Sequence, residues 1–184
     1  LDAIGDKLSG KTVVIVSTTS RAVSRQNLAM RNLLIARAAK ENGASQVMLV
    51  EPDLFYSAQD RGPRAELGET LFERSEADLK KFDGQPFTAQ LYAEMLKLAG
   101  VNRVLTVHNH SYSVQLMFSD IFNGQFHNLI PYEIYVDYLL NSDIVKFRPG
   151  GEGLALCAPD KGARDFVKEM FTRLGLPKAK FILL

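Results

Sequence analysis

Four apolar runs, each ending in a polar cluster, constrain this chain more than any other feature. Val13-Val14-Ile15-Val16 leads into Ser17-Thr18-Thr19-Ser20-Arg21. Val47-Met48-Leu49-Val50 leads into Glu51-Pro52-Asp53, then Tyr56-Ser57-Ala58-Gln59-Asp60-Arg61. Val104-Leu105-Thr106-Val107 leads into His108-Asn109-His110-Ser111, and Leu154-Ala155-Leu156-Cys157 into Ala158-Pro159-Asp160-Lys161-Gly162. Unbroken apolar runs of this length suit strands of a parallel sheet. In an open α/β sheet, ligands bind in the crevice at the carboxyl ends of the strands. Hydroxyls, imidazoles and carboxylates repeated at that position read as one convergent polar site.

Helical patterns lie between the runs. Ser24 is placed to cap a helix carrying Leu28, Leu34, Ile35, Ala38 and Ala39, with Gly43 just past its end. Pro86 precedes a second helix with Phe87, Leu91, Met95 and Leu98 at helical spacing, closed by Gly100. A shorter helix is expected around 114–118, and a last one carries Phe166, Met170 and Leu174 up to Gly175. The alternation predicts an α/β fold: an open, mostly parallel sheet of at least five strands with helices on both faces. Strands are expected at 12–17, 46–50, 103–107, 154–158 and 179–184, with an irregular region before the fourth. Residues 61–83 are charged and too long for an ordinary connection, so they are expected to be mobile or to add a helical hairpin near the site. Residues 141–153 contain Arg-Pro-Gly-Gly-Glu-Gly and read as a turn. They precede a strand and so are not a phosphate-binding loop.

Bulk properties narrow the function. A net charge of +1 over 184 residues argues against a general nucleic-acid or membrane-surface role. No apolar run approaches the roughly 20 residues of a membrane span. One cysteine cannot staple a fold and no secretory signal is visible, so a cytoplasmic setting is expected. Cys157, inside an apolar run, is expected in the core. The chain starts with Leu1 and stops within Phe181-Ile182-Leu183-Leu184, so both ends read as cuts in a longer protein.

Each polar cluster has two readings. His108 and His110 either hold a metal or phosphate or are hydrogen-bonded loop histidines. Asp160 either ligates a hard cation such as Mg2+ or caps the following helix. Gln59, Asp60 and Arg61 together supply an acceptor, an anion and a cation, or form a solvated loop edge. Residues 17–20 either cradle an anion at a helix start or cap that helix. No zinc spacing, Walker-A loop or dinucleotide fingerprint is present. The residues alone lead to an α/β domain with a nucleotide–Mg2+ crevice as one reading.

Several segments, in order, resemble one family. Tyr56-Ser57-Ala58-Gln59-Asp60-Arg61 resembles the Tyr-Ala-Arg-Gln-Asp-Arg/Lys stretch of ribose-phosphate pyrophosphokinases, and Gly84-Gln85-Pro86-Phe87-Thr88-Ala89 resembles their Glu-Pro-Ile-Ser-Ala segment. Ala99-Gly100-Val101-Asn102-Arg103-Val104-Leu105-Thr106-Val107-His108-Asn109-His110 is similar to their Ala-Gly-Ala-Asp-Arg-Val-Leu-Thr-Val-Asp-Leu-His. Ala158-Pro159-Asp160-Lys161-Gly162 resembles Ser-Pro-Asp-x-Gly-Gly, and Val16-Ser17-Thr18-Thr19-Ser20 loosely matches Gln-Ser-Thr-Ser. The resemblance runs from about residue 10 to 184, apart from the enlarged 61–83 loop.

The resemblance implies a phosphoribosyltransferase-like fold and transfer of diphosphate from Mg-ATP to the 1-hydroxyl of ribose 5-phosphate. It implies ATP-binding roles for Gln59, Asp60 and His110, a catalytic role for His110, and Mg2+ contacts by His110 and Asp160. It further implies a homo-oligomer, dimer or hexamer, with the Tyr-rich segment at 130–140 as a candidate interface. Residues 1–140 would be an amino-side domain and 141–184 the start of a second one. The departures are specific. Ala58 stands where the family has an ATP-contacting arginine, His108 where it has Asp, Asn109 where it has Leu and Ala163 where it has the second Gly. The family's ribose-phosphate loop, Asp-Asp…Thr-Gly-Gly-Thr, has no counterpart in these residues, so the chain alone is not expected to complete the reaction. Two alternatives stand beside the enzyme: an inactive, synthetase-like regulatory subunit, and an unrelated α/β nucleotide-binding module.

Overall fold

The runs of β-branched residues become strands at or within a residue of the expected bounds. β1 (Thr12–Val16), β2 (Gln46–Val50), β3 (Arg103–Val107) and β4 (Phe126–Leu129) pair in that order, all parallel, in a four-stranded sheet. The computed structural model describes residues 5–142 and 145–184. Positions 1–4, where the chain was expected to be cut, and 143–144 within the expected turn lie outside the described residues.

Between β1 and β2 runs α1 (Arg25–Glu41), started by the Ser24 hydroxyl, which accepts from the Asn27 amide at 3.3 Å. α2 (Glu76–Lys81) and α3 (Thr88–Ala99) separate β2 from β3. α3 stops because Gly100 enters the left-handed region at φ 103°, where a side chain would be strained. α4 (Tyr112–Ile121), capped by Ser111, leads to β4. α1 packs on α3, and α3 on α4. Their alanines and aromatics meet Ile15, Val47, Leu49 and Val104 of the sheet in one core with Ala36, Ala93, Leu96 and Phe118. Alanine at helix positions 29, 36 and 39 lets α1 lie close on the strands.

The α/β class and the parallel sheet are as expected, with two differences of detail. α1 packs against β1 and β2 and α4 against β4, while Val14 and Val16 of the edge strand β1 stay exposed. β4 was not legible: Phe-His-Asn-Leu carries no apolar run and is recruited by pairing with β3. Second, the fourth and fifth expected strands do not extend the first sheet. β5 (Ala155–Ala158) and β6 (Lys180–Leu183) form a separate two-stranded parallel sheet.

The contacts divide the chain into two compact units, residues 1–129 and 130–184. In the second, α5 (Tyr132–Asn141) packs on α6 (Arg164–Leu174), with the Tyr132 and Phe166 rings stacked at 5.4 Å and Val136, Met170 and Leu174 buried between them. α5 belongs to this second unit. α6 covers the face of β5 that carries Leu156 and Ala158, so alternation turns Cys157 to the other side. Cys157 is exposed, which corrects its expected place in the core.

Candidate active site

Two loops at the carboxyl ends of β2 and β3 build the site. They are stitched together at their roots: the Pro52 carbonyl accepts from the Val107 amide at 3.2 Å and from the Thr106 hydroxyl at 3.3 Å. Glu51, first after β2, turns into the core and is fully buried. Its carboxylate accepts from the Phe55 amide at 2.9 Å, the Asn32 side-chain amide at 2.8 Å and the Tyr92 hydroxyl at 2.9 Å. Burial pushes its pKa up to about 7, against the pull of those three hydrogen bonds and with some help from Asp53. Burial and the neighbouring Glu51 likewise push the Tyr92 hydroxyl above its ordinary value. Tyr56 takes a left-handed backbone, φ 63°, and its ring meets Tyr92 edge-on at 5.3 Å. The loop therefore reaches Gln59 and Asp60 on a base held from inside the core.

The loop after β3 is equally constrained. His108 is left-handed at φ 53°, and its amide donates to the Leu129 carbonyl at 2.8 Å. Buried Asn109 exchanges hydrogen bonds with Asn128, amide to side chain and side chain to carbonyl, both at 2.8 Å. Ser111 starts α4 by accepting from the Val114 amide at 3.3 Å, and donates to the Asp60 carboxylate at 2.7 Å. Ser113 donates to the Asp60 carbonyl at 2.8 Å. The second Asp60 oxygen accepts from the Arg61 Nε at 3.1 Å. Exposed His110 and Asp60 thus line one cavity of about 340 Å³, together with Arg61, Ser111, Tyr112 and residues 69–72. A neighbouring cavity of about 420 Å³ shares Glu69 and Ser113 but takes in no histidine.

The other candidates fall elsewhere. Gln59 directs its side chain to Gln85 at 3.4 Å, and its carbonyl accepts from the Ala89 amide at the start of α3. Asp160 lies in the second unit and accepts from the Ala163 amide at 2.9 Å, which closes the turn leading into α6; Ala163 is the N-cap of that helix, with no side-chain cap bond. β5 pairs with β6 in a separate sheet, so His110 and Asp160 do not stand at the ends of strands of one sheet. Ser17 is buried, with its amide on the Val50 carbonyl, and Ser20 accepts from the Ala22 amide, which is turn chemistry. Among the described residues, no group of three or more His, Cys, Asp or Glu is placed to hold a metal. The exposed carboxylate of Asp160 is the hard oxygen donor type that Mg2+ takes.

The 61–83 insert forms no helical hairpin. It folds around two arginines and one short helix, α2. Arg74 donates to the carbonyls of Gly62, Arg64 and Leu67 and to the Asp78 carboxylate, while Arg61 bridges Asp60 and Asp78. Both guanidiniums lie over the Phe82 ring, at 4.9 Å for Arg61 and 5.4 Å for Arg74. Arg74 and Ser113 are site-building residues that the sequence reading passed over. Ser111 stood in the polar cluster after β3 without a role of its own, and its signal was that of a capping residue just before an apolar helix.

Among the described residues, no helix is long and apolar enough to cross a membrane. Comparison with known proteins adds three findings. Residues 3–79 match the model of the N-terminal domain of ribose phosphate pyrophosphokinase. The chain is 31% identical over 170 residues to the ribose-phosphate pyrophosphokinase of Marinomonas sp. (strain MWYL1), covering 90% of this chain and 44% of that protein. It is 28% identical over 180 residues to ribose-phosphate pyrophosphokinase 1 of Listeria monocytogenes serovar 1/2a, covering 96% and 46%. The chain therefore spans somewhat under half the length of these relatives. Its fold is similar to the crystal structure of phosphoribosylpyrophosphate synthetase from Mycobacterium smegmatis, with a TM-score of 0.67 at 19% identity, over 96% of this chain and 49% of that one.

Proposed function

This chain belongs to the ribose-phosphate pyrophosphokinase family, as a divergent counterpart of its amino-side half, and on that premise we propose that it forms the nucleotide-binding part of an enzyme moving diphosphate from Mg-ATP to ribose 5-phosphate. The observation that carries the reading is the meeting of Asp60 and His110 on one cavity at the ends of β2 and β3. Such transfers depend on positioning and on neutralising phosphate charge, with little covalent work for the protein. His110 would contact the ATP phosphates or their Mg2+, Asp160 would supply Mg2+ with a hard oxygen, and Gln59 would serve the nucleotide. Asp60, with both oxygens engaged by Ser111 and Arg61, would act by holding those two side chains in place. Mg2+ would enter with ATP and supply charge neutralisation. A cytoplasmic setting and a second domain beginning at 141 belong to the same proposal.

One departure favours a second reading. Ala58, exposed beside Gln59, stands where the family has its ATP-contacting arginine, which suits an inactive regulatory or assembly subunit that keeps the fold and does not use this site for Mg-ATP. Calorimetry on the protein separates the readings. Asp160→Asn should weaken Mg-ATP binding about 5- to 150-fold, by analogy with losing a charged hydrogen-bond partner worth roughly 1–3 kcal/mol. His110→Ala should weaken it similarly, with the fold intact in both. Unchanged Mg-ATP affinity in both variants would transfer the case to the regulatory subunit.

Self-association is part of the proposal. α5 turns Tyr132, Tyr135 and Val136 onto α6 but leaves Ile134 and Tyr138, one turn apart, exposed. Sedimentation at high concentration should show a dimer or larger species. Finding only monomer would count against this interface.

A further inference from the structure

The 69–72 segment of the insert projects large apolar side chains into water beside His110. Leu71 is 79% exposed, Phe72 57% and Tyr112, at the start of α4, 42%. All three line the His110 cavity. Exposed apolar side chains gathered around a cavity mark a ligand- or partner-binding surface. We infer that Phe72 and Tyr112 are the stacking surfaces for the nucleobase of the bound nucleotide, an inference that rests on the Mg-ATP reading of the same site.

Three observations support it. First, the segment is a built wall. Arg74 gathers the Gly62, Arg64 and Leu67 carbonyls beneath it, and the Thr70 hydroxyl donates to the Phe72 carbonyl, closing the turn that presents Leu71 and Phe72. Gly68, left-handed at φ 102°, sits so close to Asp60 that a Cβ there would stand 2.8 Å from the Asp60 carbonyl oxygen. Second, the Phe72 ring is backed: the Arg61 guanidinium lies over it, 5.8 Å from the ring centroid. Third, the cavity is mixed in character. Leu71, Phe72 and Tyr112 line it together with His110, Ser111 and Asp60, so a π-face and a phosphate chain can be served in one cavity, and Glu69 and Thr70 add polar groups for the edges of a base. A volume of about 340 Å³ accommodates a base with part of its sugar. The wall comes from residues that enlarge this chain's loop, so it gives the site a base-binding surface of its own.

The test is calorimetry of Mg-ATP and of Mg-tripolyphosphate, which shares the phosphates and lacks the base, on the protein and on Phe72→Ala, Phe72→Tyr and Tyr112→Ala. Stacking one base on an aromatic side chain corresponds to roughly a ten-fold affinity change. Wild type should bind Mg-ATP at least about ten-fold more tightly than Mg-tripolyphosphate. Phe72→Ala and Tyr112→Ala should each erase most of that preference without changing the tripolyphosphate affinity, and Phe72→Tyr should keep it. Both substituted side chains stand in solvent, so the variants should melt with wild type. A full preference for ATP in both alanine variants overturns the stacking wall and leaves the Mg-ATP reading standing. No binding of either ligand to wild type overturns both.

Discussion

Replacing Glu51 by alanine should destabilise the first unit by about 3–5 kcal/mol at pH 5. The Phe55 amide, the Asn32 side-chain amide and the Tyr92 hydroxyl all donate to this one carboxylate, and all would be left in the core without an acceptor. A buried donor without a partner costs roughly 1–3 kcal/mol, and partial rearrangement or entry of water recovers some of the sum. Against a typical stability of about 5–15 kcal/mol, that loss threatens folding. The same side chain makes stability depend on pH. Its pKa rises from 4.5 to about 7 on folding. Below pH 4.5 the group is protonated in both states and its full contribution is present. As pH rises, the unfolded chain ionises first, and the contribution is lost through the folded pKa of about 7. Across that window the loss is about 3 kcal/mol. Denaturant titrations at pH 5 and pH 8 should therefore show the alanine variant's deficit shrinking at the higher pH. The difference between wild type and Glu51→Gln should fall over the same interval. Equal stability of wild type and Glu51→Ala at pH 5, or a pH-independent difference from Glu51→Gln, would remove Glu51 from this role. The consequence reaches the site, because the Phe55 amide that Glu51 holds belongs to the loop carrying Gln59 and Asp60.

Arg74→Ala should take apart the insert while sparing the core. The Arg74 side chain is 4% exposed and serves three carbonyls and the Asp78 carboxylate from one planar fork. Lysine, with a single compact charge, cannot replace that geometry, so Arg74→Lys should rescue little. The Arg74 hydrogen bond, then the charge of Arg61, hold the Asp78 carboxyl below its ordinary range despite some burial. Without Arg74, Asp78 keeps only Arg61, which is also engaged with Asp60. Limited proteolysis should then cut within 61–83 on the order of ten-fold faster or more, since cleavage follows the population of the open segment. Amide exchange in β2 and β3 should stay unchanged. If Phe72 stacks the base as inferred, Mg-ATP affinity should fall with the loss of the wall. An insert that resists protease in Arg74→Ala as well as wild type would show that this arginine is not its centre.

The residues settled by local chemistry were legible in the sequence. β2 and β3 have the expected bounds because unbroken apolar runs flanked by polar residues admit few other arrangements. Ser24 starts α1, and Gly100 and Gly175 end α3 and α6, because caps and left-handed turns are decided within a few residues. The Asp60 and His110 clusters were visible for the same reason: each follows its strand directly.

What only the tertiary structure decided depends on pairing over long separations. β4 has no pattern of its own and exists because β3 offers an open edge. Glu51 was one of the polar residues beyond β2, yet it points inward, since Asn32 and Tyr92, 19 and 41 residues away, bring the donors that make burial tolerable. Asp60 is held by Ser111 across 51 residues, and Arg74 reaches back across 12 to Gly62. Sequence periodicity reports which face of an element is apolar. It does not report which distant polar group will satisfy a buried one, and that satisfaction determines whether a charged side chain becomes a loop edge, a brace or a wall of the site.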